Sequence, residues 1–230
     1  MAGHGIRQET CGAAQRTGKI VVRYLLWFLF AAGIFGAIQW QLHDRPIPHA
    51  ARGMLAERTP DIALGESRPP WQDSNGFRYR ALADFQFTAV VLSRNNYRMG
   101  EFADLSPTDL AIGWGAMSDP AIYGQFKFDQ RGSPLAGRFV FPEVVPGTAI
   151  ATRPFAENVA LLLETLTHVH TIPANADVRR RLAGIRPGQV AALKGVLVEA
   201  TAPSGDLYRS SLKLHDYDCE IMWVDHVTLQ

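Results

Sequence analysis

The sequence of 230 residues lacks the short motifs by which common active sites are recognised. It contains no HExxH pair for zinc, no GxSxG context for a serine nucleophile and no closely spaced pair of cysteines. Its two cysteines, Cys11 and Cys219, stand on opposite sides of a long apolar segment, so they cannot pair within one chain if that segment crosses a membrane. We therefore expect Cys219 to be a small buried hydrophobe, and we expect no cofactor and no metal ion.

The chain also lacks a strong charge of either sign, since its formal net charge is +1. Residues 1–40 carry four basic side chains and one acid, which gives +3, whereas the remaining 19 basic and 21 acidic residues give −2. Nucleic-acid phosphates call for clustered Lys and Arg, and the main part of this chain is slightly acidic. We therefore expect no nucleic-acid partner.

The apolar content suits one folded domain of ordinary size. Hydrophobic residues make up 47% of the chain and charged residues 20%, a balance that is typical of globular proteins. Residues 41–75 contain five prolines among polar residues and predict a linker. We expect the domain to occupy residues 76–230.

The most distinct feature is the apolar segment 20–40, whose stretch from Tyr24 to Trp40 has 17 residues and no charge. This length predicts a transmembrane helix, with Tyr24, Trp27 and Trp40 suited to the interfaces. The excess of basic residues before it places residues 1–19 in the cytoplasm and the domain in the periplasm, or otherwise outside the inner membrane. A cleavable signal peptide is the alternative. Cleavage after Ala31-Ala32-Gly33 would leave an apolar new terminus, so we favour an uncleaved signal anchor.

The pattern after residue 76 predicts a mainly β (α+β) fold. Strands are expected over Phe77 to Arg98, in two pieces, and over five later segments: 123–129, 138–141, 190–199, 207–214 and 219–229. Short helices are expected after Ser106-Pro107-Thr108-Asp109, over residues 157–169 and over 176–182. Short strands with frequent turn signals favour a small curved sheet or partial barrel, and an OB-like barrel is compatible with them.

The segment from Gly113 to Pro120 supplies two candidate binding residues. Glycines allow a backbone to approach a ligand closely, so Trp114 could stack on a ligand that Asp119 anchors. The alternative is structural: Trp114 packs in the core and Asp119-Pro120 starts the next turn.

Two histidines, His168 and His170, invite a metal-binding hypothesis, because imidazoles two residues apart recur as ligands on strands. At the end of the predicted helix the same spacing points the two rings about 200° apart, which makes a poor chelate. We therefore expect a structural role there, with Asn175 or Asp177 capping the next helix. His170 and Asn175 are kept as weak binding candidates.

The acidic residues around Cys219 fit a half-buried strand. Asp216, Asp218 and Glu220 share one face and alternate with apolar residues, which predicts a solvated polar face.

Three stretches are similar to a family of uncharacterised bacterial single-pass membrane-anchored proteins: GWGAMSD (113–119), HTIPAN (170–175), and SSL (210–212) with the later CE and WV pairs. The resemblance spans Phe77 to the C-terminus. It implies a bacterial source and an intact module, and it carries over no catalytic residue.

We expect a membrane-anchored extracytoplasmic protein that acts as a noncatalytic binding or interaction module of the cell envelope. Its partners would be the lipid bilayer, through the N-terminal helix, and an envelope protein. One alternative is a hydrolase with a pocket near Trp114, Asp119 and His170. The other is a sensory domain that binds a small molecule or an oligosaccharide.

Overall fold

The computed structural model describes residues 25–35, 45–49, 53–65, 67–133, 137–214 and 218–230. The chain divides into two compact units, Met1–Arg45 and Pro46–Gln230. In the first unit, residues 25–35 form helix α1, and its large apolar side chains are between 46% and 71% exposed. Among the described residues, no helix combines the length and the apolar character that a membrane crossing requires. The predicted cytoplasmic segment 1–19 and the two ends of the predicted span, with Tyr24 and Trp40, lie outside the described residues.

The second unit is mainly β, as predicted. Its strands are β1 Asp61–Leu64, β2 Trp71–Gln72, β3 Arg78–Asn96, β4 Thr108–Gly113, β5 Phe126–Ser133, β6 Gly137–Val144, β7 Leu166–Pro173, β8 Val190–Thr201, β9 Leu207–Arg209 and β10 Glu220–Leu229. Its helices are α2 Glu101–Leu105, α3 Pro120–Tyr123, α4 Phe155–Thr165 and α5 Ala176–Gly184. Two 3-10 turns lie at Gly115–Ser118 and Ile150–Thr152.

Five strands form a closed circuit in the order β3-β4-β7-β10-β8, because β8 also pairs with β3. The β7–β10 pair is parallel and the other pairs of the circuit are antiparallel. Strand β3 has 19 residues and pairs with both of its neighbours, with register shifts between Ala81 and Ala83 and between Val91 and Ser93. Such bulges bend a strand, which lets a single strand reach around the sheet. β1, β2 and β9 add to this sheet, and β5 and β6 form a separate hairpin.

One face of the circuit is a packed apolar core. The largest buried cluster takes alternate residues of its strands, including Leu110 and Ile112 of β4, Val169 of β7 and Met222 of β10. Because side chains alternate along a strand, the residues between these point to the opposite face. There, two smaller apolar clusters cover the sheet, one with Phe102 and Tyr208, the other with side chains of β5, β6 and α4.

Two predicted helices were wrong in type or extent. Residues Thr108–Gly113, predicted as helical, form β4, and all six residues are buried. A strand that is covered on both faces reads as a continuous apolar run and shows no alternation. The helix predicted over 157–169 ends at Thr165, and β7 begins at Leu166, between β4 and β10. The helix ends where β7 starts to pair with β4 and β10. The helical spacing of the apolar residues continues past this point and could not show the boundary.

The segment 41–75, predicted as a linker, contains two strands that belong to the folded unit. β1 and β2 both pair with β3 in antiparallel fashion. Short strands among prolines give little periodic signal, so only the pairing reveals them. The two strands predicted between Phe77 and Arg98 are one continuous strand, β3.

Candidate functional site

The strand register brings four polar side chains together on the covered outer face of the circuit. Asp109 of β4 is paired with His170 of β7, and Ala111 is paired with His168. In the parallel pair, Val169 lies opposite Glu220, which places Cys219 beside His168. Since Val169 points into the core, His168 and His170 both point away from it.

Asp109, His168, His170 and Cys219, here called the His-Cys cluster, are in mutual contact. Cys219 Sγ lies 3.4 Å from His168 Nδ1. The Asp109 carboxylate reaches both rings, with Oδ1 at 3.0 Å from His170 Nδ1 and Oδ2 at 3.8 Å from His168 Nε2. The two imidazole rings cross nearly edge to face, and their centroids are 4.7 Å apart.

The donor atoms of the two histidines and Cys219 have the arrangement of a metal-binding set. One ligand atom from each residue lies within 4.8 Å of the others. Tetrahedral zinc, with bonds of about 2.0–2.3 Å, holds its ligand atoms roughly 3.5 Å apart, so inward shifts of under about 1 Å would close the site. Two imidazoles and a thiolate suit zinc, and they are also the strong ligands of blue-copper sites.

The carboxylate of Asp109 is fully buried and fixed from a second side. Ser106 Oγ lies 3.1 Å from its Oδ1 and 3.2 Å from the carbonyl oxygen of Thr171. A buried carboxylate is costly unless positive or hydrogen-bonding groups surround it. Here the Ser106 hydroxyl donates a hydrogen bond to the carboxylate, and the two imidazoles lie beside it. A carboxylate on the outer nitrogens of metal-binding histidines is also the usual way in which proteins orient such ligands.

The segment before β10 holds Cys219 in place. The backbone N–H of Ser211 donates to the carbonyl oxygen of Cys219 at 3.1 Å, and the N–H of Ile221 donates to Ser210 Oγ at 3.0 Å. Glu220, predicted to lie on a solvated face, is instead fully buried, and Thr167 Oγ1 donates to its Oε2 at 2.5 Å. The prediction failed because the start of β10, residues 220–222, is covered on both faces. Asp216 lies outside the described residues.

The prediction for Cys219 also needs correction, because its side chain is partly exposed and contacts an imidazole. It borders an apolar pocket of about 500 Å³. The lining residues are Val140, Phe141, Pro142, Phe155, Val159, Leu162, Leu163, Leu166, Thr167, His168, Asp218 and Cys219. The pocket is therefore apolar along α4 and β6 and polar at the end that meets the cluster.

Of the four residues predicted to bind a ligand, His170 belongs to the His-Cys cluster. Trp114 is buried in the main core. Asp119 caps α3 by accepting a hydrogen bond from the N–H of Ala121 at 2.8 Å. Asn175 caps α5, as predicted, by accepting from the N–H groups of Asp177 and Val178 at 3.0 Å.

Of the His-Cys cluster, the sequence analysis kept only His170 as a binding candidate and missed Asp109, His168 and Cys219. The available signal was His168-Val169-His170, an alternation that makes a shared face as soon as the segment is a strand. The expectation of no metal site rested on a helix at this point, and the strand removes that argument. In the sequence, Asp109 is 59 residues and Cys219 is 51 residues from His168. Strand pairing brings these residues together.

Comparisons with models of known families, with curated proteins and with solved structures found no match for this chain.

Proposed function

We propose that the chain is a membrane-anchored extracytoplasmic protein whose folded unit binds one zinc ion through His168, His170 and Cys219. The observation that carries the proposal is the convergence of these three donors on one face of β7 and β10, with Asp109 against the outer nitrogens. In this arrangement His168 binds through Nδ1 and His170 through Nε2. The thiolate and the buried Asp109 carboxylate offset the charge of the ion.

The fold gives the proposal a second support. The circuit β3-β4-β7-β10-β8 has the five strands and the mixed order of an OB-type barrel. In such barrels the second and third strands carry the ligand face. Those strands are β4 and β7 here, and they carry Asp109, His168 and His170.

The location is proposed from the N-terminal sequence together with α1. The large apolar side chains of this helix are exposed, which soluble surfaces tend to avoid over a contiguous stretch. The basic excess before the helix favours an N-terminus in the cytoplasm and a zinc-binding unit outside it. This role is a binding role and requires no reaction at the ion, and an envelope protein partner is compatible with it.

Zinc titration of the purified full chain tests the proposal. After chelator treatment, the chain is expected to take up one zinc per molecule in competition with a chromogenic chelator. His168→Ala, His170→Ala and Cys219→Ser should each weaken zinc binding by more than about tenfold, since each removes one ligand. His226→Ala is the matched control, because His226 is an exposed residue of β10 outside the cluster.

Two results would reject the site. One is a stripped chain that binds zinc no better than the three cluster variants. The other is a loss of binding in His226→Ala equal to that in His168→Ala. Titration with Cu(II) decides between ions, because a copper thiolate site gives an intense charge-transfer colour that zinc does not.

The 3.4 Å contact between Cys219 Sγ and His168 Nδ1 favours a second candidate, a thiol-dependent hydrolase. In that role Cys219 attacks an acyl carbonyl carbon while His168 takes up the thiol proton. The bond to the leaving alcohol or amine then breaks, His168 returns the proton to it, and water hydrolyses the resulting thioester, with Asp109 orienting the imidazole. This candidate uses Asp109, His168 and Cys219, and so differs from the hydrolase pocket predicted near Trp114, Asp119 and His170.

Metal dependence separates the two candidates. A hydrolase of this type should cleave p-nitrophenyl butyrate without zinc, lose that activity in Cys219→Ser, and react with iodoacetamide at Cys219. The zinc site predicts protection of Cys219 from iodoacetamide by zinc, because the sulfur lone pairs are engaged by the ion.

A further inference from the structure

The apolar pocket beside the His-Cys cluster is lined in an unusual way by α4. Among the residues of this helix, the buried side chain is that of Asn158. Val159, Leu162 and Leu163 are only half-buried and face the pocket. Amphipathic helices ordinarily bury their apolar side against the core. Here Leu161 and Leu162 pack against the apolar cluster with β5 and β6, while Val159 and Leu163 border an open space of about 500 Å³.

The polar groups of the pocket lie at one end. Thr167, His168, Asp218 and Cys219 belong to β7 and to the segment before β10, and the rest of the lining is aliphatic or aromatic. A ligand that suits this lining is apolar along most of its length and polar at one terminus. Its size range is that of ordinary small-molecule sites, which run from about 300 to 1,000 Å³.

We propose that the pocket binds a fatty acyl chain whose terminal oxygen atoms contact the zinc ion at His168 and Cys219. The inference rests on the proposed zinc site, since a carboxylate beside Asp218 needs a positive charge next to it. Three protein ligands leave a fourth position for an oxygen atom, as in zinc sites that take water or substrate. The aliphatic part lies between α4 and β6, where each buried methylene contributes to binding.

A free fatty acid and an ester-linked lipid chain share this chemistry. A carboxylate and an ester carbonyl each present an oxygen to the ion. The membrane proposed for α1 supplies both.

The test uses the full chain, loaded with zinc, in phosphatidylcholine nanodiscs, with parinaric acid as a fluorescent fatty-acid probe. Empty nanodiscs give the background of probe that dissolves in the bilayer. Above this background we expect a saturable signal that palmitic acid displaces. If methyl palmitate also displaces parinaric acid, the site accepts ester-linked chains. If only palmitic acid displaces it, the site is specific for free fatty acids.

Val159→Trp fills the pocket and should weaken probe binding about tenfold. Ala160→Trp is the matched control, because Ala160 is an exposed residue of the same helix outside the pocket, and it should bind like the unaltered chain. In the cobalt-loaded chain, palmitic acid should shift the d–d absorption bands, since its carboxylate becomes a ligand.

Elemental analysis of the same samples separates this inference from the proposed function. A zinc-loaded chain with no saturable signal, or one in which Val159→Trp and Ala160→Trp bind the probe alike, overturns the acyl pocket and leaves the zinc site standing. A chain without zinc overturns the zinc site and the contact between ion and carboxylate. If that chain still binds the probe in a manner sensitive to Val159→Trp, the acyl pocket is supported independently.

Discussion

At the scale of single residues, Asp109 connects the parts of the site. Its carboxylate accepts a hydrogen bond from the Ser106 hydroxyl and lies against one nitrogen of each imidazole. The other nitrogen of each ring is therefore the one that remains for an ion. Its side chain is fully buried, and it occupies the strand position directly opposite His170. A group in this position acts on a metal through the histidines.

We therefore expect Asp109→Asn to lower zinc affinity by about 10- to 100-fold, the range typical of carboxylates that orient metal-binding histidines. The amide keeps the shape of the side chain but removes the negative charge beside the rings. Zinc titration against a competing chelator measures the change. Thermal unfolding of the metal-free variant provides the control, and an Asp109→Asn chain with unaltered affinity would contradict the role.

Tyr79 gives a residue-scale prediction away from the site. Its hydroxyl donates to Asp73 Oδ2 at 2.8 Å, and burial, this hydrogen bond and the charge of Asp73 together raise its pKa far above the usual 10.0. The folded chain therefore keeps the Tyr79 proton at a pH where the unfolded chain loses it. The resulting stabilisation is complete below pH 10 and is lost progressively as the pH rises toward the raised pKa of the folded state.

Tyr79→Phe should reduce the free energy of unfolding by about 1.5 kcal/mol at neutral pH, because it removes a buried hydrogen bond to a charged group. Above a pH of about 10, the difference from the unaltered chain should shrink by up to about 1.4 kcal/mol per pH unit. Urea unfolding at neutral and alkaline pH measures both quantities. A difference that stays constant into the alkaline range would show that the Tyr79 proton is not retained.

At the scale of elements, helix α5 depends on its N-terminal cap. Asn175 Oδ1 accepts hydrogen bonds from two backbone N–H groups that no helical carbonyl can reach. Asn175→Ala should therefore lower stability by about 1 kcal/mol in urea unfolding. Asn175→Asp should retain most of it, because aspartate caps equally well. An equal loss in both variants would mean that the amide has another function.

The closest approach of two strands gives a second prediction at this scale. Gly195 of β8 pairs with Val224 next to the register shift of β10, and a Cβ at this position would lie 1.9 Å from the carbonyl oxygen of Trp223. Because the neighbour is backbone, it cannot rotate away. Gly195→Ala should cost about 3 kcal/mol or more.

Gly184, the last residue of α5, is the matched control. A Cβ there meets no atom within 4 Å. Gly184→Ala should leave the urea midpoint unchanged or raise it slightly, since alanine restricts the unfolded chain. Similar midpoints for the two alanine variants would contradict the backbone contact at Gly195.

The elements also explain what the sequence could and could not predict. The hairpin β5–β6, helix α5 and strands β8 and β10 were predicted from turn residues and alternation, which are local signals. Strands β4 and β7 were missed, because their character depends on neighbours that are distant in sequence. The same two strands carry Asp109, His168 and His170. The site was therefore missed for the same reason, and no spacing rule could place Cys219 beside His168.

At the scale of the whole molecule, the N-terminal segment and the folded unit differ in where their apolar side chains lie. The apolar side chains of α1 are exposed along the helix, and a contiguous exposed apolar surface marks an interaction site. The folded unit carries its own buried core. If the N-terminal segment anchors the chain as proposed, the folded unit acts close to a bilayer, where fatty acyl chains are concentrated.

The membrane attachment can be tested in a Gram-negative host with the full chain. We expect the chain to remain in the membrane pellet after alkaline carbonate extraction, with an intact mass that includes its N-terminus, and a C-terminal phosphatase fusion should be active outside the cytoplasm. Phe28→Asp combined with Leu29→Asp should release or mislocalise the protein, because each charge costs about 3 kcal/mol at the centre of a spanning helix. Leu64→Asp is the control, since Leu64 is an equally exposed apolar residue of the folded unit, in β1.

A chain shortened before residue 40 would favour the cleaved signal peptide. Membrane binding that survives the double substitution would place the attachment elsewhere in the protein, and the apolar pocket beside Cys219 would then be the first surface to examine.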